Sequence, residues 1–546
     1  MRLTPFAKFF ITVVILGVIG YAIYHYKGAD VRKWATGDKT ATSTAGNNNA
    51  VTSTDFSALK NAPPDPSRDA GSSGVTPASL PSGGKLNRAL VVAINTWAGH
   101  APGIVFNNGL DQSDNSGYVK KYGMPVKFVL IEDPAAKLAA FRKGDVDIMW
   151  NTVDNWAREA SVLAENNQKA KSVIMQDWSR GGDGIVSISG INSIEQLAGG
   201  HKIACTQFTP SHFLLLYLLS QSGLSSQARA DVEQNIIFTQ DAPAAAAMFK
   251  AKQVDAAVTW EPDLSAAVAA RGNEAHILVS TTAATNIIAD TLVARQDIID
   301  KAPDTVRDFV HGWFDGIDMM KSDPASANAV VGKALKLDAD TVSGMLSGLK
   351  LTPYADNAQF YGLAGGKAHY ETLFDTAFVI WRKKGLVTRP VEAKDWADTR
   401  FLQSLAASYP GAKVEEPKMA KKEPGKNDRA IINKQLEIHF TPGSADIMPG
   451  SYFVLDSLGD TMTSFGSTYL RVEGNTDTTG NATANMTLSE RRALSVKNYI
   501  LKNFPNVDPN RFQTIGRGST NPVADNATEA GRQLNRRTEI KVVLSQ

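Results

Sequence analysis

The sequence predicts an α/β architecture in two lobes, followed by a smaller α+β domain and preceded by one apolar helix at the amino terminus. Three observations carry this expectation. Short apolar runs alternate with helix-like segments between residues 87 and 400, the pattern of sheets wrapped by helices. One helix–turn–strand unit occurs twice within that span. A charged, Pro/Gly-containing stretch then sets off a compact final segment at 429–546.

The bulk numbers agree with several domains. A chain of 546 residues exceeds the roughly 250–300 residues at which single cores stop growing. Apolar content of 43% and charged content of 21% are those of globular material. The 57 basic and 55 acidic residues leave a net charge of +2, so no bulk polarity recruits nucleic acid. The one cysteine, Cys205, excludes an internal disulfide and a multi-cysteine metal site. It reads as core filler, and no cofactor or metal is expected.

The amino terminus is read first. Residues 9–24, FFITVVILGVIGYAIY, carry no charge and follow Arg2 and Lys8. At ~1.5 Å per residue they cover about 24 Å of a ~30 Å hydrocarbon core, and flanking Ala7, Tyr26 and snorkelling lysines extend the span. The run ends in YAIYHY (21–26), bulky where a signal peptidase needs small side chains. The expectation for 1–33 is therefore an uncleaved signal anchor, with a cleaved signal peptide as the rival. Residues 34–86 are rich in Thr, Ser, Ala, Gly, Asn and Pro and cannot offset their ordering entropy. They read as a disordered tether averaging about 40 Å end to end.

From residue 87 onward, buried strands are predicted at ALVVAI (89–94), VKFVLIE (126–132), VDIMW (146–150), HKIACT (201–206), NIIFT (235–239) and VDAAVTW (254–260). Helices are predicted at 134–144, 211–223, 241–253 and 304–320, and the alternation argues for parallel sheets. FRKGDVDIMW (141–150) and FKAKQVDAAV (249–258) echo each other, with Phe141 and Asp147 recurring as Phe249 and Asp255. Two similar lobes follow. Ligands of open α/β sheets sit beyond the carboxyl ends of strands, which points to NTVDNW (151–156) and EPDL (261–264) across an interlobe cleft. Residues 401–428 read as a second linker. After it come a strand at 434–440, a helix at 452–465, a strand and turn at 468–477, a helix at 488–504 and a closing strand at 536–544.

The middle domain, 87–400, resembles the periplasmic solute-binding proteins of the nitrate/sulfonate/taurine and thiamine-precursor type. INSIEQLAGGHKIACTQFTPSHFLLLYLLSQSGL (191–224) and QVDAAVTWEPDLSAAVAARG (253–272) carry that likeness. It implies a type II-like, hinge-closing clamp without catalysis. Its ligand contacts would come from Thr96, Trp97, Thr152, Asp154, Ser211, His212, Trp260 and Glu261. The residues themselves add chemistry. Ser211 and His212 open a helix, whose free N–H groups favour an anion or polar oxygen. Trp97, Trp156 and Trp260 are aromatic walls for an apolar or cationic ligand, or core packing. Asp154 and Glu261, one from each lobe, would repel an anion and favour an amine-containing solute.

The final 118 residues resemble the OmpA-like peptidoglycan-binding domain, on IHFTPGSADIMPGS (438–451), VEGNTDTTGNATANMTLSERRALSVKNYI (472–500) and IGRGSTNPVADNATEAGRQLNRRTEI (515–540). The resemblance implies that Asp477, in the T-D-x-x-G turn, and Arg492, in L-S-x-x-R-A, bind diaminopimelate of the peptide stem. Such a ligand carries ammonium and carboxylate groups, which suit an acid and a forked guanidinium. Asn485 and Thr476 would position it, and Arg536 would support the site. Asn475 departs from the histidine usual in that family. A wall-binding domain turns the anchor amino terminus inward, leaving the bulk of the chain in the periplasm at the inner membrane. Three readings follow: a solute-binding or sensor protein working with an inner-membrane complex, an envelope scaffold whose clamp docks a protein, or an enzyme. No GxSxG, HExxH, Walker or CxxC motif supports the last, and adjacent Ser211 and His212 diverge on a helix.

Overall fold

A computed structural model describes residues 84–365, 368–414, 425, 428, 430–436, 438–504 and 507–544. The anchor at 1–33 and almost all of the 34–86 tether lie outside them. Among the described residues, no helix is long and apolar enough to cross a membrane.

The first lobe opens with β1 (Leu90–Ile94), β2 (Val126–Leu130) and β3 (Ile148–Thr152), all parallel, with β1 between the other two. Their apolar runs are continuous because helices cover both faces. The chain adds β4 (Ala170–Ser179) and crosses to the second lobe at β5 (Asp183–Ile188). There β6 (Ile203–Thr206), β7 (Ile236–Thr239) and β8 (Ala256–Trp260) repeat the first arrangement, with β6 central and all three parallel. After β9 (Ala275–Ser280) the chain returns as β10 (Ala289–Arg295), and β11 (Leu349–Leu351) ends the first sheet. The orders are β11-β4-β10-β3-β1-β2 and β7-β6-β8-β5-β9.

The repeat has a physical cause. Asp147, just before β3, accepts the Val91 amide of β1 at 3.0 Å, and Asp255, just before β8, accepts the Lys202 amide ahead of β6 at 3.0 Å. Each acid pins the start of the neighbouring strand, while Phe141 and Phe249 are buried beneath it. The expectation of parallel sheets needs correction. β10 runs antiparallel to both β3 and β4, and β5 antiparallel to both β8 and β9. The chain exchanges lobes twice, and each exchange brings in one strand of reversed direction, β5 in the second sheet and β10 in the first.

The small domain is a four-stranded sheet of β12 (Ala430–Leu436), β13 (Thr468–Asn475), β14 (Phe512–Gly518) and β15 (Thr538–Leu544), ordered β12-β15-β13-β14. Helices Tyr452–Ser464 and Ala482–Asn503 belong to it. The second starts six residues before its predicted position, because the Asn481 side chain accepts the Thr483 and Ala484 amides as an N-cap. The predicted 401–428 linker also begins later than expected. Arg400–Leu405 is helical, with Phe401, Leu402 and Leu405 buried.

The small domain is seated on the second lobe and on the return crossing at 281–288. Asn286 donates its amide to Ser464 O at 3.1 Å and its side chain to Thr463 O at 2.8 Å. Ser467 Oγ donates to Thr282 O, and the Asn433 amide donates to Glu195 at 3.0 Å. A methyl group at Gly466 would lie 2.4 Å from Thr285 Oγ1. Arg180, in the other crossing, donates to Asn286 Oδ1 at 2.8 Å.

Candidate functional site

The lobes enclose a narrow cavity of about 20 Å³, lined from the first lobe by Asn95, Trp97, Trp150, Thr152 and Asp290, and from the second by Asp183, Pro210 and Trp260. That space holds little more than one water-sized centre. Strand register builds the walls. Asp290 on β10 lies directly opposite Asp177 on β4 and Thr152 on β3, so the three side chains share one face. Across the cleft, Asp183 on β5 pairs with Trp260 on β8. Trp97 donates Nε1 to both Asp177 oxygens at 3.3 Å. Trp150 donates to Ile131 O at 3.1 Å, and Lys137 Nζ lies 4.4 Å over its ring. A side chain at Gly182 would put its Cβ 2.2 Å from Trp97, so that crossing needs glycine.

The electrostatics are unusual for a protein interior. Asp154, Asp177, Asp183 and Asp290 are all buried, and among the described residues no lysine or arginine forms an ion pair with any of them. Both Asp154 carboxyl oxygens and Asp183 Oδ1 have no hydrogen-bond partner. Burial pushes Asp154 and Asp183 up to about 7 and Asp177 up to about 8. Asp290 is raised further by burial and by the charges of Asp177, Asp183 and Asp154. Buried carboxylates without a cationic partner are costly; Asp183 and Asp290 line the cleft itself, and Asp177 and Asp154 lie close enough to raise Asp290.

In the small domain, the turn after β13 carries Asp477. Its Oδ1 accepts the Thr479 amide at 2.7 Å and its Oδ2 accepts Arg536 Nη1 at 2.5 Å. Arg536 also reaches Glu529 at 2.6 Å. Burial opposes ionisation of Asp477, but the Thr479 amide and Arg536 outweigh it and hold the carboxyl below its usual value. Arg492 donates Nε to Ser444 O at 3.1 Å and lies 4.9 Å over the Phe440 ring. Burial and the neighbouring Arg536 lower its pKa, with Asp477 opposing. Its remaining N–H groups form no ion pair among the described residues, so a forked donor stands beside an acid. Gly474 lets the 482–503 helix approach the strand, since a Cβ there would lie 2.1 Å from Ser489 O.

Comparison with known proteins agrees with this division. Residues 439–536 match the OmpA family. Residues 119–313 match the family described as ABC transporter, phosphonate, periplasmic substrate-binding protein. The chain joins an OmpA domain to a periplasmic substrate-binding domain. Outer membrane porin F of Pseudomonas fluorescens is 39% identical over 112 residues, 20% of this chain and 34% of that protein. Peptidoglycan-binding protein ArfA of Mycobacterium tuberculosis is 36% identical over 105 residues, 19% of this chain and 32% of that protein. The chain thus spans about a third of the length of the curated relatives it matches. Among solved structures, the aliphatic sulphonate binding protein SsuA of Escherichia coli is 19% identical with a TM-score of 0.45, covering 57% of this chain and 97% of that one. Neither family's description names a catalytic activity.

The substrate-binding domain places its predicted residues unevenly. Trp97, Thr152 and Trp260 line the cleft, and Asp154 is buried in the first turn of the Val153–Glu165 helix. Thr96 instead turns to Glu132, donating its amide at 2.9 Å and its hydroxyl at 2.7 Å. Ser211 Oγ is buried without a partner, behind cavity-lining Pro210. His212 packs against Phe238 and Trp381 at 5.0 and 5.3 Å, where burial drives its pKa down to about 3. Thr209 caps that helix, accepting the His212 amide at 3.5 Å, so the expected anion site has lost a donor. Glu261 is occupied locally, accepting the Ser265 hydroxyl at 2.6 Å. Trp156 is core, donating to Trp396 O at 3.0 Å. In the OmpA domain, Asn485 braces the turn through Asp477 O and Thr479 O at 3.3 and 3.0 Å. Thr476 donates to Asp477 O at 2.9 Å. Asn475 is buried, its Oδ1 without a partner.

Sequence reasoning missed Asp177, Asp183 and Asp290. All three lie on strands it did not predict. The available signal was an acid inside or beside an apolar run, as in SVIMQDW (172–178), DGIVSI (183–188) and IIADTLVA (287–294), because acids are almost never fully buried without a reason.

Proposed function

We propose that this protein is a wall-tethered solute receptor of the cell envelope, held at the inner membrane by residues 1–33. Its OmpA domain binds the diaminopimelate stem of peptidoglycan, and its two-lobed domain binds a small amine-containing solute. Catalysis forms no part of this reading. The observation that carries the solute assignment is the set of four buried aspartates without a cationic partner. An anion such as the phosphonate in the family's description would be repelled by any of these acids that ionises, whereas a nitrogen cation would favour their ionised form and stack on indole faces. The same observation favours a receptor over a scaffold, since a clamp that bound nothing would have no use for costly unpaired acids. For the wall, support comes from Asp477 in the turn, paired with Arg536, and Arg492 on the helix that follows, near enough to feel both, which suit the two ends of a zwitterionic ligand. The anchor and the inner-membrane complex rest on the apolar 9–24 run and on the envelope character of both domains.

The test uses the whole chain extracted from membranes. Co-sedimentation with purified peptidoglycan, competed by free diaminopimelate, is expected. Thermal stabilisation by alkylamines or guanidinium, but not by sulfonates or phosphonates, is expected alongside. Stabilisation by anions alone would overturn the solute assignment. Intact mass of the extracted protein is expected to include residues 1–25. A soluble form beginning near residue 30 would replace the anchor with a cleaved signal.

A further inference from the structure

Resting on the reading that the cleft takes a nitrogen cation, we propose that its solute carries two cationic nitrogens joined by a short aliphatic chain, one nitrogen held by each lobe. Two carboxylates face the same cavity from opposite sides, Asp290 from β10 and Asp183 from β5. They belong to different sheets, so closing the lobes brings two acids together and disfavours the ionised form of both unless a cation lies between them. A solute with one nitrogen would compensate one lobe and leave the other lobe's acid facing a closed interface. A solute with two would compensate both; the present cavity of about 20 Å³ is too small for it, so it enters with the lobes further apart, and closure onto it brings each carboxylate to its nitrogen.

The acids behind this pair follow the same division. Asp177 stands directly opposite Asp290 in strand register, and the two form the first lobe's anionic face. On the far side, the Asp183 carboxyl lies within the field of Glu261, and its Oδ1 has no donor. Asp154 adds two more oxygens without a donor. Trp97, Trp150 and Trp260 line the same cavity. The Nε1 groups of Trp97 and Trp150 are already spent on Asp177 and Ile131, so these two indoles present apolar surface suited to methylene groups. Indole surface and two carboxylates in one cavity match a slender, doubly charged alkyl chain.

The test is titration calorimetry of the full chain, in buffers free of amines, with the terminal diamines of propane, butane and pentane. The matching monoamines propylamine, butylamine and pentylamine, and butanesulfonate, serve as comparisons. The best diamine is expected to bind its monoamine's site about 10- to 150-fold more tightly, the worth of one further charge-assisted hydrogen bond. Asp183→Asn is expected to abolish the diamine's advantage, leaving diamine and monoamine with the same affinity. Equal affinities for diamine and monoamine would overturn the two-nitrogen assignment and leave the cation reading standing. Binding of butanesulfonate without either amine, or of none of these probes, would overturn both.

Discussion

Replacing Asp183 by asparagine is expected to make the ligand-free protein more stable, by an amount that grows with pH. The side chain is 3% exposed and one of its oxygens has no donor. Burial first, with the charge of Glu261 behind it, raises its pKa from 3.8 to about 7. The folded state therefore holds this proton more tightly than the unfolded chain does. Between the two values, stability falls as pH rises, and the loss is complete above the folded value. The gap of about three units corresponds to roughly 4 kcal/mol at about pH 8.5, and to about 1.5 kcal/mol at about pH 5. Asparagine carries no charge at either pH. Asp183→Asn should thus exceed the wild type by up to about 4 kcal/mol in the alkaline buffer, with that margin shrinking by more than half in the acidic one. Urea unfolding at both pH values, without amines present, reads the difference. A variant that is less stable at the higher pH, or whose margin is the same at both, would refute the argument that this carboxylate is buried without compensation.

Other expectations follow from the same geometry. Asp477→Ala and Arg492→Ala should each weaken co-sedimentation with peptidoglycan by the ~1.5–3 kcal/mol of a charge-assisted bond, whereas Arg491→Ala, on an exposed side chain, should leave it nearly unchanged. Gly466→Val should unseat the OmpA domain from the 281–288 crossing, because a Cβ there already meets Thr285 Oγ1 at 2.4 Å; small-angle scattering should report a larger radius of gyration, and an unchanged radius would dismiss the seat. Cys205 is buried and its pKa is driven up by desolvation, so a thiol reagent at neutral pH should label it only after unfolding.

The sequence alone determined what is local. Asp477 and Arg492 are fifteen positions apart, on one turn and the helix that follows it, so motif and spacing bring them together without help from the rest of the chain. The repeated lobe was equally legible, since Asp147 and Asp255 each act on the nearest parallel strand. Trp97, Thr152 and Trp260 were legible as candidates because they end, or closely follow, strands that the apolar runs reveal, and all three line the cavity. Tertiary structure decided the rest. Asp177 and Asp290 are 113 positions apart and become neighbours only because the chain leaves the first lobe as β4 and returns as β10. Asp183 joins them only when the second lobe folds across. Thr96, His212 and Glu261 make local contacts, with Glu132, an aromatic cluster and Ser265, that the linear pattern does not weigh. Periodicity reports which residues share an element's face, but a cleft is made where two elements from distant parts of the chain meet, and that meeting is set by packing.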